Sequence, residues 1–299
     1  MIRCWFVEDH RAEHHITKLC ELVELDRQVF YRWANPTLSE HYIDDAYLAN
    51  EIVDIYRNSR CTYGSPRVWG QLRRNGMRVS RKRVERIMAE VGLAGAHSRK
   101  KWRKDTRDDA PAEDLLDRDF AADASDLRWV GDITEFKCVD GKLFLAGVLD
   151  LHDRTMAGWS MGVRQTADLT VNALVMALGR RDPSDDLVSH QDHGSQYTAF
   201  QFTNWLDDHG IAASYGSVGD CFDNAVMESC WATLKRDLRH IHGGWEHLTR
   251  SELRTVLFEY IEVFYNRQRH QARLGHQTPA EAYTASKAAQ STHNNPCLK

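Results

Sequence analysis

At residue 127 the spacing of apolar residues changes, and that change restricts the folds open to this chain more than any other feature. Before it, apolar residues recur at helical intervals only. After it, side chains alternate through residues 129–138, 142–151 and 156–163, joined by tight turns, one at Asp140-Gly141. Alternation with a period of two is the pattern of half-buried strands. The period then switches back and forth: residues 168–180 carry Leu169, Ala173, Val175 and Met176 on a helix, and 187–190 form a short strand. Residues 198–209 form a second helix and 211–214 a fifth strand. Three antiparallel strands followed by alternating helices and strands predict an α/β domain with a mixed five-stranded sheet, preceded by an all-α region.

The all-α region is read from its stops and caps. Ile16, Leu19, Cys20 and Val23 form one apolar stripe and Val29, Phe30 and Trp33 a second, with Asp26 as cap between them and Pro36 as a stop. This hairpin over residues 1–38 reads equally as a small helix-turn-helix or as a packing element. Leu48, Ile52, Ile55 and Tyr56 mark a helix over 43–58. Ser65 and Pro66 start another that Gly76 ends. Ser80 caps a third, whose stripe is Val84, Ile87, Met88 and Val91 and whose stop is Gly92. Arg81, Lys82, Arg83 and Arg86 cluster on its first half, the arrangement of a helix that enters a major groove. The basic run continues through Lys100, Lys101 and Arg103 around Trp102.

Charge sharpens this reading. The formal net charge is only −4, yet residues 57–107 hold 16 Lys/Arg against 3 Asp/Glu. Residues 108–126 hold 8 acidic residues against one Arg. A basic block beside an acidic one points to a polyanion bound at one place. The expected organisation is a hairpin over 1–38, a basic helix-turn-helix DNA-binding domain over 39–107 and an acidic linker over 108–126. An α/β domain over 127–285 and an unstructured tail over 286–299 complete it. No apolar run reaches the roughly 18 residues of a membrane span, and residues 1–10 lack the core of a signal peptide. The seven cysteines are scattered, with no Cys-x-x-Cys pair. A reduced, cytoplasmic protein is expected, without membrane contact.

Three carboxylates stand out. Asp132 lies in the first strand, Asp192 follows the fourth, and Glu228 comes after a gap of 35 residues, on a helix that Asp223 can cap. On that helix Glu228, Ala232 and Lys235 share one face. Three converging carboxylates repel one another and call for a divalent cation. Oxygen-only donors suit magnesium, with manganese as the alternative, better than zinc. His240, His242, His247 and His270 have no metal-site spacing.

The segments Trp129-Val-Gly-Asp132-Ile-Thr134, His190-Gln-Asp192-His-Gly194-Ser-Gln-Tyr197 and Asp223-Asn-Ala-Val-Met-Glu228-Ser, followed by Leu234-Lys235, resemble the blocks of DDE transposases and retroviral-type integrases. The OrfB-type transposases of bacterial insertion sequences are the most similar, and the block Tyr265-Asn-Arg-Gln-Arg-His270, Leu274-Gly275 and Pro279 resembles the end of their catalytic domain. Gln191 departs from that pattern, which commonly has Ser there. The resemblance implies an RNase H-like fold with Asp132, Asp192 and Glu228 as catalytic metal ligands. Asn224 and Lys235 would then face DNA near the scissile bond. It further implies double-stranded DNA, both element ends and target, as partner, a homo-oligomer on DNA, and work on the bacterial nucleoid. Fusion with, or partnership to, an upstream-frame product stays open. Two rival functions are a DNA-binding regulator with an inactive core, which the three intact carboxylates argue against, and a structure-specific nuclease that cuts without joining.

Overall fold

The computed structural model describes residues 1–35, 39–97, 122–181, 183, 185–191, 194–215 and 225–293. Contacts divide the chain into two compact units, Met1–Glu51 and Ile52–Lys299.

The first unit contains α1 (Ile2–His10), α2 (Ile16–Leu22) and α3 (Arg27–Ala34). The pair α2–α3 is the expected hairpin, and Asp26 caps α3 by accepting from Gln28 N at 2.7 Å and Val29 N at 3.4 Å. Helix α1 was not expected. It contributes only Cys4 and Val7 to the buried cluster with Leu19, Cys20 and Phe30, too short a stripe to show as periodicity. Helix α4 (Glu40–Asn58) crosses from this unit into the second.

In the second unit α5 (Ser65–Arg74) and α6 (Arg81–Glu90) pack on each other through Val68, Leu72, Val84, Ile87 and Met88. Ser80 caps α6 by accepting from Arg83 N at 3.3 Å. The expected cap of α5 is displaced by one residue: Gly64 occupies the cap position, and Ser65 instead donates to Glu85 at 3.3 Å. Val91 follows the last turn of α6 and is exposed rather than part of its stripe.

Helix α5 leans on the C-terminal part of the chain. Tyr63, just before it, donates to Gln268 O at 3.1 Å and accepts from His270 N at 2.7 Å. Arg74, at its end, donates to both carboxylate oxygens of Glu281 at 2.7 and 3.0 Å. Between them, a Cβ on Gly70 would meet the His276 imidazole at 2.3 Å, so only glycine lets the ring lie there.

The sheet has the order β3-β2-β1-β4-β5. Strands β1 (Arg128–Cys138), β2 (Gly141–Asp150) and β3 (Met156–Gly162) are antiparallel, and β4 (Val188–Gln191) and β5 (Ala212–Tyr215) run parallel to β1. Helices α7 (Ala167–Arg180) and α8 (Phe200–Asp208) join the later strands and bury Leu169, Ala173, Ala177, Phe202 and Leu206 against Trp129, Val148 and Ala157. This is the expected RNase H-like topology. Helix α9 (Ala225–His242) then lies on β1, burying Met227, Trp231, Leu234 and Leu238.

Residues 249–269 do not form one uninterrupted α-helix. Thr249 and Glu252 form a reciprocal cap for α10 (Arg250–Glu259), but Tyr260–Tyr265 is a π-helical turn. The wider turn brings Tyr260 and Tyr265, five residues apart, to 6.3 Å between ring centres, and both are buried. A short 3-10 turn, Ala272–Leu274, leads to α11 (Pro279–His293).

The tail expected to lack structure from residue 286 is therefore helical as far as His293. The reason is tertiary. Ser286 accepts from Ser125 N at 2.9 Å, Gln290 donates to Ser125 O at 3.0 Å, and Lys287 pairs with Asp126 at 2.9 Å. Asp126, the last residue of the expected linker, is buried and shares Arg181 with Asp153, each at 3.0 Å. Beside them Asp150 is pushed up to about 6, by burial and then by the Asp153 charge. Among the described residues no helix is long and apolar enough to cross a membrane.

Candidate active site

Asp132 sits in the middle of β1, half-buried, opposite Gly147 of β2. Its carboxylate oxygens accept N–H groups from two elements: Oδ1 from Ile133 N at 2.8 Å and Oδ2 from the Trp231 indole at 2.9 Å. The indole reaches Asp132 because Gly147 has no side chain; a Cβ there would lie 2.7 Å from Trp231 Cη2 and 2.7 Å from Met156 Sδ. Absence of a side chain on β2 thus seats α9, and α9 orients the carboxylate.

Glu228 is one turn before Trp231, in the first turn of α9, and exposed. The face expected from helical spacing holds in part. Ala232 is exposed, whereas Lys235 is half-buried with its ammonium 5.2 Å from the centre of the Phe136 ring. Burial, and then the Arg239 guanidinium, lower the Lys235 pKa, against the opposing pull of Asp132 and Glu135. Lys235 therefore belongs to the electrostatic surroundings of Asp132. On the other side of β1, Gln191 ends β4 and pairs with Gly131, one residue before Asp132. Asp192 and Asn224 lie outside the described residues, as do Lys100, Lys101 and Arg103. On α6, Arg81, Lys82 and Arg86 are exposed and Arg83 is half-buried; Arg81 pairs with Glu85 at 2.8 Å and Arg86 with Glu90 at 2.7 Å.

The closing block fastens α9. Asp237, fully buried on α9, accepts from Arg269 Nε and from the Tyr260 hydroxyl, both at 2.8 Å. Removing one partner from such a buried pair costs about 3–5 kcal/mol, so Arg269 is a strong tie. Asn266 clamps the start of β3, accepting from Met156 N at 3.0 Å and donating to Met156 O at 3.1 Å. Sequence reasoning singled out this block by resemblance alone. The signal it overlooked is Asp237, an acid on the buried face of a helix, which requires a cation from elsewhere. Trp231 was overlooked too, since a buried indole reads as core.

Residues 122–221 and 228–284 match the integrase core domain family, and residues 43–101 match HTH-like domains. A protein of Shigella sonnei described as the insertion element IS600 uncharacterized 31 kDa protein is 36% identical over 266 residues, covering 88% of this chain and 96% of its own. The transposase InsF for insertion sequence IS3A of Escherichia coli (strain K12) is 34% identical over 280 residues, covering 92% and 96%. Among solved structures, the simian T-cell lymphotropic virus intasome in complex with PP2A regulatory subunit B56 gamma aligns with a TM-score of 0.47 at 16% identity, over 69% of this chain and 67% of that one.

Proposed function

Because this chain belongs to the IS3 family of insertion-sequence transposases and has their integrase core, we propose that Asp132, Asp192 and Glu228 together hold the divalent ions of DNA cleavage and strand transfer. The observation that carries the reading is the seating of Asp132. Its two oxygens are oriented by Ile133 and Trp231, and the helix that supplies Trp231 carries Glu228 one turn away. Asp192 follows directly on Gln191, whose partner in the ladder is the residue before Asp132. Three oxygen donors of this kind fit magnesium, or manganese, better than zinc. When bound, two such ions would lower the pKa of an attacking water or hydroxyl and offset charge on the leaving oxygen.

The chain's own residues have narrower tasks. The three carboxylates fix where the scissile phosphate comes to rest. Trp231 keeps Asp132 in one orientation, and Arg269 with Tyr260 keeps α9 on the sheet. No side chain is assigned as a nucleophile: water attacks the first phosphodiester and the DNA 3′-OH leaves, and that hydroxyl then attacks a target phosphodiester, displacing the target's own 3′ oxygen. Lys235 is assigned to the phosphate flanking the cut, on the strength of its place beside Asp132; Asn224 is assigned there on resemblance alone. Arg81, Lys82, Arg83 and Arg86 of α6, with Lys100, Lys101 and Arg103, would anchor the element end by its backbone. Assembly as a homo-oligomer on two ends, work on the nucleoid, and partnership with an upstream-frame product complete the proposal.

Changing Asp132 or Asp192 to Asn, or Glu228 to Gln, should abolish both cleavage and joining of an end-containing duplex in magnesium while thermal melting stays as in the wild type. Wild-type joining by Asp192→Asn would remove it from the ligand set.

A further inference from the structure

The flank of α9 turned away from Asp132 borders a cavity of about 420 Å³. Ser229 and Thr233 of α9 are on one wall, and the remaining lining includes four arginines: Arg67 of α5, Arg154 of the β2–β3 turn, and Arg269 and Arg273 beyond the π-helical turn. Among the described residues no carboxylate lines it. Two of the four cations are satisfied within the protein, since Arg269 is paired with Asp237 and Arg67 donates to His270 O at 3.2 Å.

Arg154 is different. Only 6% of it is exposed, and its Nε and Nη2 have no hydrogen-bond partner. Its backbone is also held at φ +62°, in the left-handed region that a long side chain rarely adopts, by the bond from its N–H to Asp150 O at 3.0 Å. A buried guanidinium with open donors, placed by a strained turn, is costly to the isolated protein. Burial, and then the nearby Arg273, hold the Arg154 pKa down, while Arg67 is held down to about 10 by burial and by Arg269. Neighbouring like charges add to the cost of burying these guanidinium groups, and an anion in the cavity would offset that part and give the open donors an acceptor.

We propose that this cavity is a phosphate-binding site and that its occupant is a phosphodiester of the DNA engaged by the neighbouring face of α9. Planar guanidinium donors match phosphate oxygens in pairs, and the hydroxyls of Ser229 and Thr233 add neutral donors on the α9 wall. The choice of DNA follows from position: Ser229 is the residue next to Glu228. That choice rests on the transposase reading, whereas the anion site stands without it.

Two measurements on the full chain test the proposal. Inorganic phosphate, compared with chloride at equal ionic strength, should raise the melting temperature of the wild type and raise that of Arg154→Gly much less. Glycine also relieves the left-handed backbone, so this variant is expected to fold. Equal responses would overturn the anion site. For a short DNA duplex, the slope of log affinity against log salt should fall by about 0.9 for the one phosphate lost. A phosphate effect on melting with an unchanged slope would overturn DNA as occupant and leave the cavity to a free phosphate. Arg273→Gln, on the exposed rim, should shift both readouts in the same direction, and it carries the test if Arg154→Gly does not fold. Failure of strand joining in the Asp132 variant bears on neither readout.

Discussion

On the proposed assignment Asp132 serves a cation, and its neighbours have to hold its orientation. A backbone N–H and an indole N–H both contribute to that. Trp231→Phe keeps the ring in the notch over Gly147 and deletes only the indole donor. A hydrogen bond to a charged group contributes about 1.5–3 kcal/mol to folded stability, so the melting temperature should fall somewhat, and joining should drop at least about tenfold with a higher magnesium requirement. A magnesium titration of joining measures this; unchanged half-saturation and rate would leave the indole a purely packing role. Asp132 and Glu228 were legible in the sequence because each is a charged residue inside a recognisable block. Trp231 was not, because its partner is 99 residues away and nothing local distinguishes a donating indole from a packed one.

Elements were legible wherever the period or the cap was local. The five strands fall within a residue or two of their expected bounds, and Asp26 and Ser80 cap as read. The elements that escaped are held by distant partners. Helix α11 has a polar tail sequence, and Ser125 and Asp126 give it its footing. The π-helical turn forms where Tyr260 and Tyr265 are drawn inward to Asp237 and Cys230. On α6 the charge pattern was legible, but its pairing tempers the expectation. Since Arg81 and Arg86 already face Glu85 and Glu90, replacing Arg81, Lys82 and Arg86 together by Gln should lower the salt slope of DNA binding by about one to two rather than the full value for three contacts. Stability should change by less than about 0.5 kcal/mol, as for other surface substitutions. An unaltered slope would move the DNA anchor to another element.

At the scale of the whole molecule, the contact between α5 and the C-terminal segment ties a basic helix pair to the catalytic core. Its outer clasp is Arg74 with Glu281. The Arg74 guanidinium, and then the Thr278 N–H, hold the Glu281 carboxyl down to about 2. A carboxylate depressed in the folded state contributes stability at pH values above its unfolded pKa, about 4.3. That contribution is lost as the pH falls from there toward about 2. The pair is partly exposed, which limits its worth to about 1 kcal/mol or less. Glu281→Gln should therefore be slightly less stable at neutral pH and should lose the part of the acid dependence that falls in this window. Equal pH profiles of unfolding for wild type and variant would show that the clasp contributes nothing.

The same contact has a consequence in time. Arg74 and Glu281 are 207 residues apart, and synthesis adds roughly 5–20 residues per second, so Arg74 is made about 10–40 s before its partner. Over that interval the face of α5 bearing Gly70 and Arg74 has nothing to rest on, and the helix pair can present its cations before the core is closed. Asp132 is translated early, Glu228 later, and Arg269, which secures the helix carrying Glu228, later still. On the proposed assignment, a nascent chain that has not yet reached Glu228 lacks one of the three carboxylates, and cutting waits at least for that helix.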